Sequence, residues 1–125
     1  MGIDPSAMAL RITALLVNYN DAATLGRAIV SALAQRYPRE TYEILAVDDG
    51  SRDGSVDVLE SYTPSVRLVR LAHAGLPAAC NEGIRCARGS YLVRLDADDE
   101  FEPSLLAEAA AVLDRRSEVA LVTTD

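Results

Sequence analysis

The chain has 125 residues, half of them apolar, and a formal net charge of −7 at pH 7. That length suits one domain, able to bury roughly two-thirds of its unfolded surface without disulfide support. The acidic balance excludes nonspecific attraction to nucleic acid or anionic membranes, which needs clustered basic side chains.

The twelve basic residues are all arginine. The lack of lysine argues against a P-loop, a Schiff base or a phosphoacceptor receiver site, each of which normally uses one. His73 is the only histidine, so a multi-histidine zinc site is excluded, and a solvated loop position is expected for it. No apolar run approaches the ~20 residues of a membrane span and no secretory leader pattern is visible, so a cytoplasmic protein is expected.

In chain order, residues 1–10 read as a disordered lead-in or an expression remnant, and residues 11–125 as the domain. A strand is predicted at 12–17. A helix follows, with Leu25, Ala28, Ile29, Ala32 and Leu33 at helical spacing and Asn20 or Asp21 as its N-cap. Next come a strand at 42–47, a short helix at 55–61, a strand at 66–71, and a helix at 76–87 that Gly89 can close. Cys80 and Cys86 on that helix are separated by a rise of ~9 Å, beyond disulfide reach, and read as reduced thiols. A strand at 91–95 precedes a helix that carries Pro103 in its first turn and runs through Leu105, Leu106, Ala109 and Leu113. The last predicted strand is 119–123.

Strands alternating with helices imply an α/β fold, a mostly parallel Rossmann-like sheet with helices on both faces. In such sheets ligands bind beyond the carboxyl ends of the strands. Asn18-Tyr19-Asn20, Asp48-Asp49-Gly50-Ser51, His73-Ala74-Gly75 and Asp96-Ala97-Asp98-Asp99 each follow a strand, so all four are expected on one rim. The last cluster ends an apolar strand in three carboxylates within four positions, a costly arrangement unless water or a cation intervenes. Carboxylates combined with substrate phosphates are the usual way to hold Mg2+ or Mn2+. Asp48 or Asp49 could accept a hydrogen bond from a base nitrogen or a ribose hydroxyl, and Tyr19 could cover a nucleobase. Asp53 and Ser55 are expected to be structural, and Glu100 and Glu102 to face a helix N-terminus.

The ordered motifs Leu16-Val17-Asn18-Tyr19-Asn20, Ala34-Gln35, Ala46-Val47-Asp48-Asp49-Gly50-Ser51 with Asp53-Gly54-Ser55, Asn81-Glu82-Gly83-Ile84 and Leu95-Asp96-Ala97-Asp98-Asp99 together resemble family 2 glycosyltransferases of the GT-A fold. The resemblance implies that Val17 and Tyr19 hold the base of a nucleotide-sugar donor, with Asp49, and with it Asp48, reading a uracil-like edge. It implies contact of Asp96 with ribose or sugar, and a divalent metal on Asp98 and Asp99. Transfer to an unknown saccharide, lipid or other acceptor would invert the anomeric carbon.

Two departures stand out. The third helix reads Ala78-Ala79-Cys80-Asn81 where the family often has an arginine near the diphosphate, leaving Arg85 as the candidate. The chain also stops at Asp125, before the region where the family keeps its catalytic carboxylate. It therefore reads as a truncated donor-binding part, inactive alone and open to self-association through uncovered apolar surface. A non-catalytic nucleotide-sugar binding or assembly module is the alternative. Nucleotidyl transfer and a dinucleotide-binding domain are disfavoured, because the glycine-bearing loop each needs after the first strand is absent.

Overall fold

The structure, a computed structural model, describes residues 10–115 and 121–123. Strands β1 (Ile12–Asn18), β2 (Tyr42–Asp48), β3 (Val66–Arg70), β4 (Tyr91–Asp96) and β5 (Leu121–Thr123) pair in parallel in the order β3-β2-β1-β4-β5. The first four predicted strands match these within a residue at each end, and of the predicted 119–123 strand residues 121–123 are strand while 119–120 lie outside the described residues. The expected lead-in falls outside the described residues except for Leu10, whose carbonyl accepts a hydrogen bond from Ser90 N. Asp125 also lies outside them.

Helices α1 (Ala22–Leu33), α2 (Ser55–Ser61) and α4 (Leu105–Arg115) cover one face, and α3 (Leu76–Cys86) the other. The alternation of β1 explains this division. Ile12, Ala14 and Leu16 enter the larger apolar cluster with Leu25, Ile29 and Leu106, while Leu15 joins Leu45, Val47 and Ala79 beneath α3. Gly83 brings α3 down onto β1, since a Cβ there would sit 2.5 Å from Leu15 Cδ1. Cys80 and Cys86 are free thiols on α3.

Gln35 links α1 to the segment before α4. Its amide donates to the carbonyls of Glu102 and Ser31, and its oxygen accepts from Leu106 N at 2.9 Å. This gives the Ala34-Gln35 motif a physical reason: a buried amide satisfies backbone groups that would otherwise be orphaned.

One element is added and two local expectations change. A 3-10 turn at Arg39–Thr41 precedes β2. The fourth helix begins at Leu105, so Pro103 stands just before it and its carbonyl accepts from Arg36 N. Glu108, and not Glu100 or Glu102, is the acid in the first turn of α4. Among the described residues no helix is long and apolar enough to cross a membrane.

Candidate functional site

From β1 the chain winds outward through β2 to β3, then returns to the other side of β1 as β4. The β1/β4 boundary is therefore the point where winding direction switches, and its carboxyl end is where such sheets hold ligands. Val17 pairs with Asp96 across that seam. A hollow of about 300 Å3 opens there. Val17 and Tyr19 line it from the end of β1, Asp49 from β2, His73 and Leu76 from the passage into α3, and Arg94, Asp96 and Asp98 from β4. Four chain segments distant in sequence thus meet at one cavity.

Its walls are loops fastened to one another by carboxylates. Asp48 is 1% exposed and does not line the hollow. Its carboxylate accepts from Ser51 N, Ser51 Oγ and Asn18 Nδ2, at 3.0, 2.7 and 2.8 Å. Its side chain holds the loop that follows β2. Asn20 takes a positive φ of 56°, which asparagine tolerates better than most residues, and its Oδ1 accepts from Arg52 N. Neither Asn20 nor Asp21 caps α1 through its side chain. Asp53 does so from the next loop, accepting from Ala22 N through Oδ2 and from Ser55 N through Oδ1.

Asp49 is 2% exposed, and both its oxygens are engaged. Oδ1 accepts from Ala74 N at 2.9 Å and Oδ2 from Gly75 N at 3.0 Å. His73 Nδ1 lies 3.1 Å from Oδ2 and 3.1 Å from the Asp49 carbonyl oxygen. Both are acceptors, so Nδ1 carries the proton. The imidazole held this way stacks on Tyr19, with ring centroids 4.3 Å apart and planes inclined by 27°. His73 is the exposed loop residue expected from sequence, its side chain 56% exposed, and it is also part of the wall. A tyrosine at one strand end and a histidine two strands away carry no periodic signal; only the Asp49 anchor joins them.

On the opposite wall the chain turns at residues 96–99, with Asp99 N donating to the Asp96 carbonyl and Thr24 Oγ1 donating to the Ala97 carbonyl. Asp96, Asp98 and Asp99 each bring one oxygen within 4.8 Å of the others. An all-oxygen set of partly exposed carboxylates suits a hard divalent ion. Asp96 belongs to this group together with Asp98 and Asp99, although Asp99 does not line the hollow itself. Arg85 is elsewhere, paired with Glu82 one turn back on α3, so the residue expected near the phosphates does not reach the cavity.

Asp21 also lines the hollow. Burial first, then the negative charges of Asp98 and Asp53, push its carboxyl above the ordinary carboxylate range. Ionising it is thus harder in the folded chain than in the unfolded one, and stability falls as pH rises from that ordinary range through the raised value. Asp21→Asn is expected to raise the melting temperature at pH 7 and to leave it unchanged below about pH 3. Thermal melts across pH check this; a variant with no advantage at neutral pH would show that the acid wall carries no strain.

A family model described as Glycosyl transferase family 2 matches residues 13–125. An uncharacterized glycosyltransferase of Nostoc sp. is 37% identical over 107 residues, covering 82% of this chain and 33% of its own length. The poly(ribitol-phosphate) beta-glucosyltransferase of Bacillus spizizenii is 34% identical over 95 residues, 72% of this chain and 15% of its own. Among solved structures, S. aureus TarS in complex with UDP-GlcNAc superposes with a TM-score of 0.78 at 23% identity, over 86% of this chain and 32% of that one, a likeness of fold alone. The mannosyltransferase PcManGT from Pyrobaculum calidifontis, in complex with GDP-Man and Mn2+, gives 0.77 at 28% identity, over 90% and 34%. The expected GT-A architecture is therefore the observed one. The chain spans about a third of the length of the Nostoc relative and of both solved chains. The family match begins at the second residue of the central strand and runs past the last, and the chain accordingly belongs to glycosyl transferase family 2.

Proposed function

We propose that this chain is the donor-binding part of a glycosyltransferase, taking a nucleoside diphosphate sugar, UDP-linked by preference, together with Mg2+ or Mn2+. The observation that carries this reading is the convergence of Tyr19, Asp49 and Asp98 on one hollow at the switch point of the sheet. Tyr19 offers a ring face for the base, and Val17 the apolar floor beside it. Asp49, fixed by the backbone of residues 74–75, retains acceptor capacity for a base N–H, because each carboxylate oxygen has more than one lone pair. Asp96 is assigned to ribose or sugar hydroxyls, and Asp98 and Asp99 to the cation. When bound, that cation supplies Lewis-acid neutralisation of the charge on the departing nucleoside diphosphate.

The protein's own part is orientation. Loops pinned by Asp48, Asp49 and Asp53 hold base and diphosphate in one pose, so that an acceptor can approach the anomeric carbon from the open side, with inversion as the expected outcome. No described residue is assigned the activation of the acceptor.

The test is calorimetric titration of UDP and GDP into the chain with MnCl2 and, separately, with EDTA. UDP binding that needs the metal supports the proposal. Failure of both nucleotides to bind with Mn2+ present overturns it.

A further inference from the structure

We infer that Arg94 is the protein's own cation for the donor phosphates, an inference that rests on reading the hollow as a nucleoside diphosphate seat. Among the described residues lining the hollow, Arg94 is the one arginine, set against the carboxylates of Asp21, Asp49, Asp96 and Asp98. Without Arg94, those four carboxylates carry a formal charge of −4. A divalent ion alone leaves −4 + 2 = −2, which still repels a diphosphate carrying about two negative charges, and Arg94 halves that remainder to −1. The metal alone therefore does not make the cavity attractive to its ligand.

The position of Arg94 suits the task. It lies on β4 two residues before Asp96, so the two side chains leave the same face of the sheet. Its Nη2 stands 3.6 Å from Asp96 Oδ1, with the arginine side chain 31% exposed. That separation is an ion pair beyond ordinary hydrogen-bond length. The guanidinium is therefore held beside the carboxylate cluster that would carry the cation. Its planar fork of donors matches phosphate oxygens. The first turns of α3 offer no competitor, reading Ala78-Ala79-Cys80, and Arg85 is turned to Glu82. The sequence conceals this role because an arginine inside a strand next to Leu95 reads as an ordinary edge or surface residue.

The experiment compares UDP with uridine, and GDP with guanosine as a second pair, by NMR-monitored titration in Mn2+ for the wild type, Arg94→Gln and Arg94→Lys. Loss of a charge-assisted contact predicts a drop of about tenfold to a hundredfold in diphosphate affinity for Arg94→Gln. The nucleoside should change less than about threefold, with partial recovery in Arg94→Lys. Circular dichroism and melting curves establish folding; should the glutamine variant be unfolded, the lysine variant carries the test through a loss confined to the diphosphate. Equal losses for diphosphate and nucleoside, or no loss, overturn the assignment and leave Arg94 as a support for Asp96. A wild type that binds neither diphosphate nor nucleoside overturns it together with the functional reading on which it rests.

Discussion

Asp98→Ala is expected to abolish the metal-dependent part of nucleotide binding, lowering UDP affinity in Mn2+ by at least about a hundredfold, since even loss of a residue that only orients a metal ligand costs 10–100-fold. The reason is local. Asp96, Asp98 and Asp99 present one oxygen each within 4.8 Å of one another, and Asp98, which like Asp96 belongs to both that cluster and the lining of the hollow, is the more exposed link between ion and ligand. Calorimetry with Mn2+ and with EDTA separates the two contributions. The variant should match the wild type in EDTA and differ from it only when metal is added; undiminished binding in Mn2+ would remove Asp98 from the cation site. A second readout is structural. Asp98 is one of the charges that raise the Asp21 carboxyl, so the neutral-pH gain expected from Asp21→Asn should shrink in the Asp98→Ala background.

Gly50→Ala should be the most damaging single methyl in the molecule's rim. Gly50 has φ +78°, and a Cβ built there lies 2.6 Å from His73 N and 3.1 Å from His73 Cα. The left-handed backbone costs roughly 1–2 kcal/mol for a residue with a side chain. The obstacle is backbone, which cannot rotate aside as a side-chain tip would. A total of about 2–4 kcal/mol is expected, with a fall in melting temperature of about 10 °C or more. Moving residues 73–75 also loosens the hydrogen bonds from Ala74 N and Gly75 N to Asp49 and unstacks His73 from Tyr19. Nucleotide affinity should therefore fall together with stability. Gly26→Ala is the control: it sits inside α1 with nothing within 4 Å of the added carbon, and should stabilise by up to about 1 kcal/mol through helix propensity. A Gly50→Ala variant as stable as the wild type would show that the two loops are not in the tight contact described.

Most of the sheet was legible because burial on both faces makes a parallel strand nearly continuous in apolar residues. The 42–47 run and the end of 91–95 in a burst of aspartates are plain examples. The rim was legible only in outline. The rule for helix caps looks to the residues just before a helix, so it pointed to Asn20 and Asp21, whereas Asp53 caps α1 from more than thirty positions away. The same limit hid the different tasks of Asp48 and Asp49. Adjacent residues in an extended segment face opposite ways, so one carboxylate turns in to hold Ser51 and Asn18 while the other faces the cavity. His73 was expected on the rim but without its partners Asp49 and Tyr19, which come from other strands, and Arg94 was given no role. Charge count and topology together, and neither alone, bring them into view.

The pairing of β4 with β1, in preference to its chain neighbour β3, has a kinetic consequence. Ile12 meets Tyr91 from 91 − 12 = 79 positions away, and closing so large a loop must be done before any of that ladder rewards it. One wall, with Tyr19, Asp49 and His73, is built by the segments before β4, but the cavity is complete only when β4 joins β1. Competence to capture a nucleotide should therefore emerge late in refolding and in one step, and a molecule that clasps both sides of the seam would act as a latch on the finished fold.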